Sequence, residues 1–261
     1  MGGMKLAFAG KGGVGKTTLA AWTADWLARN GNDVWMVDAD TALSLGQASG
    51  LSRAELPEPL VARRDVINQR IGSGMLQLNP DVSDLPESIS VDVPVDSADD
   101  QAVPGRKRLL LMGTIAGAGG GCACEANALL KAVLAHLVLE RNDWVIVDLE
   151  AGVEHLGRGT VADVDGMIVV SEPSRRSLET AAAIGALAGD LGLVNQLLVL
   201  NRCTDCEALP SLDGLPDTHV AMPFMAQLAQ RQLHSASVLH MPQQAEIDLS
   251  IAKMLAALQL Q

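Results

Sequence analysis

Tyrosine is absent, phenylalanine occurs twice and tryptophan four times in the 261 residues. A chain this poor in rings offers little to stack single-stranded bases, and its core must be aliphatic. Basic charge is also scarce: 19 Lys and Arg stand against 31 Asp and Glu, for a net charge of −12. No basic stripe interrupts that balance, so nucleic acid is excluded as an expected partner, because phosphate backbones need clustered Lys and Arg. No apolar run reaches eighteen residues, which argues against a membrane span. The start, Met1 to Leu6, leads straight into a strand pattern and carries neither a secretory signal nor the Ser or Thr that myristoylation needs at position 6. The expectation is a cytoplasmic protein. In that setting the 4 cysteines read as thiols or metal ligands rather than structural disulfides.

What the chain has is short apolar runs alternating with helical patterns, the signature of βαβ units. Strands are predicted at about 4–9, 33–38, 75–79, 108–113, 144–148, 166–171, 196–200 and 218–222. The expected fold is α/β: a single domain over 1–261, with a mostly parallel sheet of seven or eight strands and helices on both faces. Leu19, Trp22 and Trp26 mark one face of a helix that opens near Lys16. Ile247, Ile251, Met254, Leu255 and Leu258 mark a face of the last helix. Its polar side has one basic residue, Lys253, so packing on the sheet is expected rather than lying on a membrane. Residues 80–104 hold Asp81, Asp84, Glu87, Asp92, Asp96, Asp99 and Asp100 with no Lys or Arg. They read as an acidic, proline-containing surface loop, with a partner-docking or metal-attracting surface as the sharper alternative.

Residues 10–18 read GKGGVGKTT. A glycine, four free positions and Gly-Lys-Thr between a strand and a helix is a phosphate-binding loop. Gly12, Gly13, Val14 and Gly15 let backbone N–H groups curl around phosphate oxygens, aided by the helix N-terminus that Thr18 helps to open. Lys16 is suited to the β- and γ-phosphates, and the Thr17 hydroxyl to Mg²⁺. Downstream, Asp38-Ala39-Asp40 and Asp148-Leu149-Glu150 each close a predicted parallel strand, on the sheet edge where ligands sit. Either acid taken alone is a polar residue ending a strand.

Lys11, a second lysine inside the loop, resembles the deviant Walker-A ATPases, which include the nitrogenase iron protein, MinD and ParA. The resemblance implies ATP and ADP binding, Mg²⁺-dependent hydrolysis and a homodimer in which Lys11 reaches the partner's phosphates. It implies that Asp40 directs the attacking water and that Asp148 holds Mg²⁺, with Gly152 as the switch glycine. In that class an Asn after a later strand reads adenine and a Pro after the next lines the base pocket. This places Asn201, its neighbour Arg202, and Pro223 in the nucleotide site.

Residues 117–132 read GAGGGCACEANALLKA. Cys122 and Cys124 flank one alanine before a helix, whose N-terminus favours thiolates. Two thiolates do not complete a zinc or nickel site, but a symmetric dimer supplies four. Two small buried residues in a tight turn would give the same pattern. With GKGGVGKTT, the Val-Asp-Ala-Asp switch, Met112-Gly113-Thr114, NDWVIVDLEAGVEHLGRGT at 142–160 and VSEPSRRSLETA at 170–181, the chain resembles the CooC ATPases that serve nickel insertion into carbon monoxide dehydrogenase. That resemblance implies Ni²⁺ or Zn²⁺ held between protomers by Cys122 and Cys124, with the apo-dehydrogenase as partner. The second switch has Glu154 and His155 but no cysteine, which argues against an iron–sulfur reductase of the nitrogenase kind. Cys203 and Cys206 lack a second pair and read as loop thiols. The alternative to the nickel role is a MinD- or ParA-like positioning ATPase.

Overall fold

A computed structural model describes residues 3–71, 80–96, 103–113, 123–140, 143–150, 164–204 and 209–259. One sheet of eight strands organises them: β1 Lys5–Gly10, β2 Val34–Ala39, β3 Val91–Val93, β4 Lys107–Leu111, β5 Trp144–Leu149, β6 Gly166–Ser171, β7 Gln196–Asn201 and β8 His219–Met222, in the order β3-β4-β2-β5-β1-β6-β7-β8. All pairings are parallel except β3 with β4. The helices are α1 Lys16–Arg29, α2 Leu45–Ala48, α3 Arg64–Ile71, α4 Leu85–Ile89, α5 Ala123–Glu140, α6 Arg175–Asp190, α7 Ala226–Arg231 and α8 Gln244–Gln259.

The central strands are mainly apolar because helices cover both faces, with Asp38 and Asp148 the acids near their carboxyl ends. Side chains alternate across the sheet, so Leu6 and Phe8 join one core while Ala7 and Ala9 join the other. The first core is closed by α1 and α8 through Leu19, Trp22, Ile247, Ile251 and Met254; the second by α3, α5 and α6 through Ile67, Leu129, Val133, Leu178 and Ile184. The last helix is therefore a core element, as its stripe implied. Local signals set the ends of α6: Ser174 is its N-cap and accepts from the Ser177 N–H at 3.3 Å.

The acidic segment departs from its reading as a loop. It contains α4 and the edge strand β3, with Leu85, Ile89 and Val93 buried. Apolar residues at these positions outweigh the surrounding acids, and the edge placement lets Asp92 face solvent and pair with Arg106 at 3.0 Å. The strand predicted at 75–79 lies outside the described residues.

A buried charge network braces this framework. Lys107 of β4, 1% exposed, pairs with Asp25 of α1 at 2.8 Å, and Arg29 bonds both Asp25 (2.8 Å) and Asp248 of α8 (2.6 Å). Burial opposes ionisation of Asp25, but Lys107 and Arg29 prevail and hold its carboxyl below the ordinary value.

Candidate nucleotide site

The phosphate loop connects β1 to α1 on the carboxyl edge of the sheet. Its glycines answer to different constraints. A Cβ on Gly10 would meet the Val170 carbonyl oxygen, and one on Gly15 would meet the Asn201 amide nitrogen, each at 2.3 Å. A Cβ on Gly12 or Gly13 would meet no other part of the described residues within 4 Å. Protein packing fixes the ends of the loop, and its middle borders open space of the kind a phosphate group fills. Helix α1 begins with no side-chain cap and no acidic residue in its first turn. Its first N–H groups have no intrahelical partner, so they present positive charge to that space. Lys16 is 5% exposed, and its ammonium makes a long bond of 3.5 Å to the Lys11 carbonyl. No ion pair to Lys11 occurs among the described residues, and its side chain is half-buried beside exposed Gly12 and Gly13.

Parallel register sets Asp38 of β2 beside Asp148 of β5, both fully buried. Asp38 Oδ2 accepts the Leu45 N–H at 2.9 Å and Oδ1 the Asp40 N–H at 3.2 Å, which shapes the turn after β2. Asp148 Oδ2 accepts the Thr17 hydroxyl at 2.6 Å, while its Oδ1 is buried without a hydrogen-bond partner among the described residues. An orphaned carboxylate oxygen beside a loop threonine suits a hard divalent cation, so the residues present fit Mg²⁺. Burial, reinforced by neighbouring carboxylates, raises Asp148 to about 7 and Asp38 to about 6.

These shifts carry a sign. A carboxyl raised on folding favours the fold below its ordinary value of 3.8, and that contribution is lost as pH rises through about 6 for Asp38 and about 7 for Asp148. A cation that requires the ionised form must displace the proton. Affinity for Mg²⁺·ADP is therefore expected to rise from pH 5 to 8 with proton release on binding. Titration calorimetry in buffers of different ionisation enthalpy measures this, and pH-independent affinity would show that Asp148 is not at the cation's site.

Beside the loop lies a cleft of about 300 Å³ lined by Gly15, Thr18, Trp22, Asn201, Arg202, Pro223, Phe224, Met225, Leu228, Ala229 and Gln232. Asn201, Arg202 and Pro223 thus meet the phosphate loop in three dimensions. Asn201 Nδ2 donates to the Val14 carbonyl at 2.7 Å and its Oδ1 accepts the Arg202 N–H at 2.9 Å, so it tethers the loop to β7. Arg202 has φ 59° and its guanidinium pairs with Glu172 at the end of β6. The indole of Trp22 donates to the Val238 carbonyl at 2.8 Å, which closes the cleft floor. Phe224 and Gln232 escaped the sequence reading, Phe224 despite standing next to Pro223, and Glu172 entered it only inside the motif at 170–181, with no role in the site.

The chain leaves β4 on this same edge, where the Met112 N–H donates to the Asp38 carbonyl at 2.9 Å. It re-enters the described residues at Ala123, the first residue of α5, with Cys124 next. Cys122, Gly152, His155 and Cys206 lie outside the described residues, as does the side chain of Cys124. Cys203 is buried after β7 and disulfide-bonded, which corrects its reading as a free loop thiol. No helix among the described residues is long and apolar enough to cross a membrane.

Sheet order, phosphate loop and the cleft beside it together define a nucleotide-binding α/β domain of the MinD type. The chain belongs to the CobQ/CobB/MinD/ParA nucleotide binding domain family, which matches residues 6–208, and within it to the CooC type. It is 38% identical over 206 residues to the carbon monoxide dehydrogenase accessory protein CooC of Rhodospirillum rubrum, covering 76% of this chain and 74% of that protein. It is 39% identical over 205 residues to an uncharacterised ATP-binding protein of Methanocaldococcus jannaschii, covering 76% and 75%. Among solved structures, the cell division ATPase MinD of Pyrococcus furiosus superposes with a TM-score of 0.66 at 19% identity, over 98% of this chain and 99% of that one, a likeness of fold.

Proposed function

We propose that this protein is an ATP-hydrolysing accessory factor for nickel insertion into carbon monoxide dehydrogenase, working as a nucleotide-gated homodimer over the whole chain. The observation that carries the ATPase reading is the Thr17–Asp148 contact with its orphaned Asp148 Oδ1, set against a loop whose middle faces open space. In this reading Thr17 and Asp148 hold Mg²⁺, which supplies charge neutralisation at the phosphates. Lys16 and the first N–H groups of α1 bind the β- and γ-phosphates, Asn201 holds the loop in register beneath the base, and Arg202 and Pro223 flank the base. Asp40, half-buried just after β2, orients the attacking water. Lys11 lies beside the exposed glycines, placed to reach a partner protomer's phosphates.

The nickel role rests on the similarity to the CooC protein and on the Cys-x-Cys pair. The link from Met112 to Asp38 offers a route by which nucleotide state alters the cysteine segment. One Cys122 and one Cys124 from each protomer would make a four-thiolate site suited to Ni²⁺ or Zn²⁺. With added Ni²⁺, thiolate charge-transfer absorption is expected at one metal per two chains. It should vanish in Cys122→Ser and Cys124→Ser and survive in Cys203→Ser and Cys206→Ser. Metal bound at one ion per chain, or insensitive to Cys122 and Cys124, would refute the bridging site.

A further inference from the structure

The parallel register that pairs Asp38 with Asp148 continues by Ala39 beside Leu149. Asp40 and Glu150 follow as the next residue of each chain, in the bends just beyond the ends of β2 and β5. Between them sits a single hydroxyl. Thr41 Oγ1 lies 3.0 Å from Glu150 Oε1 and 3.3 Å from Asp40 Oδ1. Asp40 Oδ1 also accepts the Ala42 N–H at 2.9 Å. Asp40 is thereby held on its own turn by a backbone donor and tied to β5 through Thr41 and Glu150.

We propose that Glu150, acting through the Thr41 hydroxyl, is a positioning residue that fixes the Asp40 carboxylate for hydrolysis. Two carboxylates facing across a strand pair repel, and a hydroxyl between them converts that repulsion into a shared hydrogen-bonding node. The single Thr41 hydrogen is shared between Glu150 Oε1 and Asp40 Oδ1 in a three-centre contact, with Glu150 the nearer acceptor that fixes the hydroxyl's rotamer beside Asp40, so losing either the hydroxyl or the Glu150 acceptor loses that orientation. The link also joins the turn after β2 to the residue that follows β5. The inference rests on the reading of Asp40 as the residue that orients water.

The test compares Thr41→Val, Thr41→Ser, Glu150→Ala, Glu150→Gln, the double variant Thr41→Val/Glu150→Ala and Asp40→Asn. Steady-state ATP turnover and binding of methylanthraniloyl-ATP with Mg²⁺ are the readouts. Thr41→Val and Glu150→Ala are expected to lower kcat about 10-fold with the nucleotide Kd within about twofold, as misplacement of a reacting group does. Thr41→Ser and Glu150→Gln, which keep a donor and an acceptor, should restore at least about half of kcat. The double variant should be no worse than either single, because both cut one chain of contacts. Additive losses, a Kd that moves with kcat, or no rescue by Ser and Gln would overturn the inference. Normal turnover in Asp40→Asn would instead remove the underlying reading of Asp40. Impaired Asp40→Asn with unimpaired Thr41→Val and Glu150→Ala would remove only the positioning role.

Discussion

Lys11→Ala is expected to bind Mg²⁺·ATP with near wild-type affinity and to hydrolyse it about 10³-fold more slowly, the scale of a charge supplied in trans to a transferring phosphoryl group. The physical ground is the contrast between the two loop lysines. Lys16 is buried in its own loop, with its ammonium turned to the Lys11 carbonyl. Lys11 has no acidic partner among the described residues and sits next to glycines that face open space. A cation with no ion pair among the described residues of its own protomer is available to another. Lys16→Ala should behave differently and lose nucleotide affinity itself, since binding and turnover both draw on the same contact. Nucleotide titration alongside turnover separates the two, with molecular mass measured in ATP to follow the dimer. Equal turnover in Lys11→Ala and wild type would end the trans-lysine reading.

Asp25→Ala is expected to cost about 3–5 kcal/mol of stability, because it strands the Lys107 ammonium in a buried site without its hydrogen-bonded counter-charge, leaving only the weaker pull of Asp96. Lys107 is 1% exposed and its bond to Asp25 is the tie between α1 and β4. Lys107→Met should cost less. It removes the buried cation, fits the cavity with an apolar chain, and leaves Asp25 paired with Arg29. Urea denaturation with circular dichroism measures both. A loss under about 1 kcal/mol in Asp25→Ala would mean that the ammonium escapes to solvent. Because α1 carries the phosphate loop at its start, a loosened brace should also weaken nucleotide binding, an effect that the Lys107→Met variant should largely avoid.

The positions of β1, β2, β4, β5, β6, β7 and β8, the phosphate loop and the core stripe of α8 were legible in the chain by itself. Each is written locally: in an apolar run, in glycines before a lysine, or in apolar residues at helical spacing, so a short window contains the whole signal. The acids after β2 and β5 were legible as strand ends, and the parallel fold put them on one edge. Tertiary structure decided the rest, because it sets which distant residues meet. Asn201 reaches the Val14 carbonyl across 187 positions, and Lys107 finds Asp25 across 82. The edge strand β3 forms only because β4 is already in place to pair with it in an acidic stretch that reads as a loop. Thr41 meets Glu150 because register aligns Asp38 with Asp148, and register is set by how helices on both faces seat the strands. Local propensity chose the elements, while burial of one continuous apolar sheet between two helical layers chose their neighbours.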